Sequence, residues 1–215
     1  MKRRKLWYGI VLFCVGLCFI NLAGCQEKGG HSPSLTSGEP ALFRIFMPDA
    51  GPAAIAVHVA ENLSYCWDAG SCRLRYAWRG GFIDNTEIWK GHRDAYAEIV
   101  GDIFYRDDSD FPLHMDFPGN IPVTEFKGYR LIDQLPEFHY RLNNIDVFER
   151  IEADPDDRIG MIRTFRIPEA KRDIWFVHDP EDGMKYESTQ GEWVGGHLKI
   201  RPEEAKSFTI KMVQE

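Results

Sequence analysis

The stretch Ile55–Trp89, IAVHVAENLSYCWDAGSCRLRYAWRGGFIDNTEIW, holds three of the six tryptophans and the densest two-residue alternation in the chain. Leu63, Tyr65 and Trp67 point one way and Asn62, Ser64, Cys66 and Asp68 the other, which is the period of a strand. After the turn Asp68-Ala69-Gly70-Ser71 the alternation resumes, with Cys72, Leu74, Tyr76 and Trp78 on one side and Arg73, Arg75 and Arg79 on the other. Two such runs about a glycine-bearing turn predict a β-hairpin. With an even loop Trp67 falls opposite Cys72, Tyr65 opposite Leu74 and Leu63 opposite Tyr76, so one face is apolar and the other presents arginines to solvent or a partner.

The same register puts Cys66 and Cys72 on opposite faces, where their sulfurs cannot meet. A three-residue loop with Gly70 in a bulge would instead set them across from one another, and an oxidising compartment would favour that disulfide.

Beyond Trp78 the segment WRGGFIDNTEIWKGH gathers two tryptophans, two acids, an asparagine and a histidine around Gly80-Gly81. Trp78, Asp84, Trp89 and His92 would make a sugar-binding shelf if the indoles lay flat at the surface and the carboxylate accepted from hydroxyls. Alternatively, Phe82, Ile83, Ile88 and Trp89 plug one end of a core while Asp84 and Asn85 cap turns.

At the N-terminus Lys2-Arg3-Arg4-Lys5 precedes an apolar run from Leu6 to Ile20, followed by Leu22-Ala23-Gly24-Cys25. A basic start, a short apolar stretch and small residues before a cut describe a secretory signal over 1–24. Leu22–Cys25 resembles the lipobox of bacterial lipoproteins, which implies cleavage before Cys25 and lipidation of its sulfur; an uncleaved signal anchor is the alternative. Gln26 at the next position is, by that resemblance, compatible with outer-membrane delivery. Residues 25–40 are rich in Gly, Ser and Pro without apolar periodicity and read as a flexible tether.

Removing the signal removes four positive charges and no acids, so the formal net charge goes from −7 to −11. Such a surface suits neither nucleic acid nor anionic lipid. The seven histidines are scattered singly, no CxxCH or zinc-spaced CxxC occurs, and no metal site or cofactor loop is expected.

Residues 41–215 are enough for one domain. Strands are predicted at 42–47, 55–59, 123–132, 138–142, 145–151, 161–167, 174–178, 185–188, 192–194, 197–200 and 208–213. Asn143-Asn144 marks a hairpin turn. Residues 93–101 have helical spacing, and the prolines of 111–122 predict an extended loop. Many short strands without crossover helices predict an all-β antiparallel sandwich, of ordinary or super-sandwich size, with at most one short helix.

The segments MPDAGPAAIAV, CWDAGSCRLRYAWRGGFIDNTEIW, GDIFYR and FKGYRL…PEFHYRL together resemble an exported bacterial domain over about residues 43 to 150. That domain is usually fused to c-type cytochrome domains or to quinone-dependent sugar-dehydrogenase-like propellers. At Trp89-Lys90-Gly91-His92-Arg93 the chain departs from the family's Arg-Gly pattern. The resemblance implies a periplasmic accessory role near carbohydrate oxidation or electron transfer, with a carbohydrate, cytochrome or dehydrogenase as partner.

The expectation from these readings is a lipid-anchored, non-catalytic binding module facing the periplasm. The alternative is a carbohydrate-active enzyme in which Asp116, Glu137, His139 and Glu149 supply carboxylate and imidazole for acid–base chemistry, which requires two of them to converge in a pocket.

Overall fold

The computed structural model describes residues 39–91, 95–156 and 159–215. The signal, Cys25, the tether up to residue 38 and His92 lie outside the described residues.

Strand covers 53% of the chain and helix 2%, so the fold is all-β. In chain order the elements are β1 (Ala41–Arg44), β2 (Ala54–Ala60), β3 (Leu63–Asp68), β4 (Arg73–Arg79), β5 (Ile83–Asp84), α1 (Thr86–Trp89), β6 (Glu98–Ile99), β7 (Asp102–Arg106), β8 (Leu113–Met115) and β9 (Thr124–Ile132). They continue with β10 (Leu135–Leu142), β11 (Ile145–Ala153), β12 (Gly160–Arg166), β13 (Ile174–Phe176), β14 (Met184–Ser188), β15 (Glu192–Val194), β16 (His197–Ile200) and β17 (Phe208–Gln214).

All pairings are antiparallel. One sheet runs β1-β2-β3-β4-β7, a second β14-β17-β12-β11-β10-β9 and a third β15-β16-β13-β8, while β5 and β6 form a small ribbon. The three larger sheets close on one core. Ile55, Tyr65, Trp67 and Leu74 come from the first, Phe138, Val147 and Phe165 from the second, and Leu113, Phe176 and Leu198 from the third. Trp67 is fully buried and stacks on Phe138 with ring centroids 4.1 Å apart and planes 2° from parallel, which joins the first sheet to the second.

The first sheet has a second core on its other face. Met47, Ala54, Ala56, Cys66, Tyr76, Trp78, Phe82 and Ala97 make it. This explains why β3 is buried at every position instead of at alternate ones. It also corrects the expected register. Ser64 pairs with Trp78, Tyr65 with Ala77 and Cys66 with Tyr76, but Trp67 pairs with Leu74, so Arg75 is the extra residue of a bulge.

The bulge turns Leu74 toward the first core and Tyr76 and Trp78 toward the second, so the four residues expected on one face are divided between two. No solvated arginine face results. Arg73 and Arg75 are half-buried, with Arg73 Nη1 donating to the Ser109 carbonyl and Arg75 Nη2 to the Asp49 carbonyl at 3.0 Å.

The loop between β3 and β4 is Ala69-Gly70-Ser71-Cys72. Asp68 shapes it by accepting from the Gly70 N–H at 2.8 Å and the Ser71 hydroxyl at 2.7 Å. Cys72 closes the loop with φ +56°. Its thiol enters the first core and that of Cys66 the second, and both are free.

Three other expectations change. The one described helix is the single turn α1, whereas residues 98–99 form strand because Glu98 pairs with Asp84. Residues 111–122 contain β8, whose ladder with β13 sits between prolines 112 and 118 without needing either. Strand β10 begins at Leu135, since Asp133 and Gln134 turn the chain with φ +50° and +68° and Ile132 pairs with Leu135. That geometry is a tight hairpin turn formed without glycine.

Candidate functional site

The outer face of β9–β12 carries most of the polar side chains that face one another across strands. Along β10 the residues alternate, with Phe138, Tyr140 and Leu142 in the core and Glu137, His139 and Arg141 turned away from it. Pairing then sets three rows across the sheet. Arg130, Glu137, Arg150 and Thr164 form one, Gly128, His139, Phe148 and Arg166 the next, and Glu125, Arg141 and Asp146 the third.

Strand β9 is the sheet edge and bulges at Lys127, because His139 pairs with Gly128 whereas Tyr140 pairs with Phe126. Gly128 sits in the bulge with φ +139°, a backbone conformation that favours glycine. A Cβ there would have no neighbour within 4 Å.

A cavity of about 400 Å³ opens over it, lined by Lys127, Gly128, Tyr129, Arg130, Glu137, His139, Phe148 and Arg166. Its volume lies within the range of small-ligand sites.

The floor is a stack of planar groups. His139 lies on Phe148 at 4.6 Å, with planes 15° apart, and the Arg166 guanidinium covers the same ring at 4.7 Å. One wall is ionic. Glu137, with 7% of its side chain exposed, accepts from Arg130 Nε at 2.6 Å and from Arg166 Nη2 at 2.7 Å and Nε at 3.3 Å. Burial raises the Glu137 pKa, but the two guanidinium groups outweigh it and hold the carboxyl below its ordinary range. From the next row of the sheet Asp146 takes His139 Nε2 at 2.8 Å and Arg141 Nε at 2.9 Å through one oxygen, which fixes the imidazole plane. Hydrogen bonds from Arg141 and then His139 lower the Asp146 pKa.

The acid–base alternative requires two of its residues to converge here. Of its four residues the structure brings together only Glu137 and His139. Glu149 lies in the core, where its Oε1 accepts from Arg163 Nε and Nη2 at 2.9 and 2.7 Å and its Oε2 from the Tyr140 hydroxyl at 3.1 Å. Asp116 sits at a turn with φ +68° and binds Arg172 at 2.8 Å. Glu137 and His139 each hold a separate charged partner, the two arginines for the carboxylate and Asp146 for the imidazole.

The expected sugar shelf does not assemble. Trp78 is fully buried, its indole N–H donates to the carbonyls of Gly81 and Phe82 at 3.1 and 3.0 Å, and it lies parallel to Phe82. Asp84 caps the entry to α1, accepting from the Thr86 N–H at 2.8 Å and its hydroxyl at 2.5 Å, and these bonds lower its pKa. Trp89, at the end of α1, is 70% exposed and does not share a surface with Trp78.

A second groove of about 440 Å³ runs along Glu61, Asn62, Arg79, Gly80 and Asp102 and has no aromatic lining. Among the described residues no three His, Cys, Asp or Glu side chains come together as a metal ion would require.

Sequence reasoning missed Gly128, Arg130, Phe148 and Arg166. The available signal was the alternation Glu137-x-His139-x-Arg141 within β10, which identifies a charged outer face once the strand is recognised. No protein-family model, curated protein or solved structure matches this chain.

Proposed function

We propose that the chain is a lipid-anchored, periplasm-facing binding module without catalytic activity of its own, and that it takes a carbohydrate in the cavity over Gly128. The observation that carries this reading is the ion pairing of the charged groups in the cavity wall, Lys127 with Glu125 and both Arg130 and Arg166 with Glu137. Glu137 is bonded by two arginines and the imidazole plane of His139 is set by Asp146, a preorganised polar wall that suits recognition. The planar floor of His139 and Phe148 offers the kind of surface on which a sugar ring packs. The lipobox at Cys25 supports the anchored, exported setting, and the resemblance over residues 43 to 150 supports an accessory role beside a periplasmic cytochrome or sugar dehydrogenase.

The test is calorimetric titration of the full-length protein in detergent micelles against neutral and acidic mono- and oligosaccharides, with product analysis of each mixture. Saturable heat without turnover is expected for at least one class, and it should disappear in Phe148→Ala. Turnover of any sugar, or silence across the whole panel, would refute the reading.

A further inference from the structure

We infer that the cavity ligand is a sugar acid, a single ring bearing a carboxylate, with the ring seated over Gly128 against His139 and the carboxylate held by Arg130 of the same strand. This inference rests on the binding-module reading above and specifies its ligand.

The row across the sheet gives the ring its place. Phe148 covers one face of the His139 imidazole from the β11 side, and Arg166 continues the stack on β12. The opposite imidazole face looks toward β9, where the partner in the row is Gly128 and no side chain stands. The stack of flat groups therefore ends in open space over Gly128, and a pyranose C–H face meets the π face of imidazole there.

The arginines give the charge its place. Arg130 bonds Glu137 through Nε alone, so its Nη1 and Nη2 have no acceptor among the described residues. Arg166 bonds Glu137 through Nε and Nη2, which leaves Nη1. A guanidinium presents donors on two edges, and the edge not engaged by Glu137 fits a second carboxylate. Glu137 is thus a positioning residue that fixes the Arg130 guanidinium in the cavity wall. The lining carries Lys127, Arg130 and Arg166 against Glu137, and Lys127 is itself paired with Glu125 at 3.0 Å, which leaves a local +1.

The chain without its signal, at −11 as a whole, repels a long polyanion, whereas for a small anion charges beyond roughly 8 Å are screened. One acidic ring therefore fits the electrostatics better than a polyuronate.

The experiment compares glucuronate and galacturonate with their methyl esters, with glucose and with inorganic phosphate, by calorimetry on the full-length protein in micelles. The acid should bind at least about tenfold more tightly than its ester, and Arg130→Gln should remove that difference while leaving the ester unchanged. Arg130 is 64% exposed, so this variant folds. Gly128→Val, which fills the gap, should lower affinity for acid and ester together.

Equal affinity for acid and ester, or binding confined to neutral sugars, overturns the sugar-acid inference while the binding module stands. Phosphate binding as tight as uronate binding overturns it too, since the site would then read charge without a ring. Silence toward every saccharide overturns both.

Discussion

Glu149 and Arg163 meet inside the main core with neither side chain reaching solvent, Arg163 donating two hydrogen bonds to a single carboxylate oxygen. Burial opposes the arginine's charge, yet Glu149 more than offsets it and raises the Arg163 pKa. The guanidinium also covers Phe165 and Phe176, at 5.1 and 5.6 Å, and so bridges the second and third sheets. Removing one partner strands the other charge. Arg163→Met should lower unfolding free energy by about 3–5 kcal/mol in a urea titration, whereas Glu149→Leu combined with Arg163→Met should recover much of that loss. A double variant less stable than Arg163→Met would show that the ion pair, and not the stranded charge, sets the cost.

The thiols should be inert in the folded protein. Burial pushes both Cys66 and Cys72 up to about 12, so at pH 8 roughly one in 10⁴ of each is thiolate. Ellman's reagent should label neither until denaturant is added, and mild oxidation should leave the mass unchanged. Rapid labelling of native protein would contradict their placement on opposite faces of the sheet.

Two glycines with positive φ should respond differently to alanine. At Gly101, with φ +136°, a Cβ would stand 2.0 Å from the Arg79 carbonyl oxygen, so Gly101→Ala must move backbone and should abolish cooperative folding. At Gly128 only the dihedral is unfavourable, and Gly128→Ala should cost about 1–2 kcal/mol by thermal or urea unfolding.

Acid should weaken the ionic wall of the cavity. Glu137 holds its proton less tightly folded than unfolded, so its contribution is complete above its ordinary value of 4.5 and is lost as pH falls through the lower folded value. Buried Asp107 has the opposite sign, because burial raises its pKa and protonation favours the folded form. Unfolding curves collected between pH 7 and 3 should show a loss of stability below pH 4.5 that flattens in Glu137→Gln. An unchanged acid limb in that variant would contradict the assignment.

The tryptophans separate core from surface. Trp78→Ala should cost about 3–5 kcal/mol, as truncation of a fully buried aromatic does, whereas Trp89→Ala should stay within about 0.5 kcal/mol. Comparable losses would mean that Trp89 is covered in solution.

Local signals were readable where one residue pair or one alternation decides the structure. Asn143-Asn144 marked its hairpin, and the strands from Gly160 onward fall within two residues of their expected spans. What escaped depends on partners distant in sequence. Strand β8 exists because β13 pairs with it, and Asp133-Gln134 turns without glycine because the strands on either side hold it. Two-residue alternation put Trp78 beside Leu74, but the Arg75 bulge adds one residue and exchanges their faces. The candidate site was half legible. Glu137 and His139 stood out as an acid and an imidazole on one strand, but the glycine, phenylalanine and arginine that complete the row come from β9, β11 and β12, and no motif joins them.

That single extra residue at Arg75 also governs how the molecule tolerates sequence drift. With apolar side chains required on both faces of β2–β4, substitutions from Ala54 to Trp78 have almost nowhere to go. The outward positions of β9–β12 sit on a sheet that packs on the core through its inner face. A saturation-mutagenesis map would show one rigid block and one permissive field, so ligand preference could diverge among descendants of this protein while its architecture stayed unchanged.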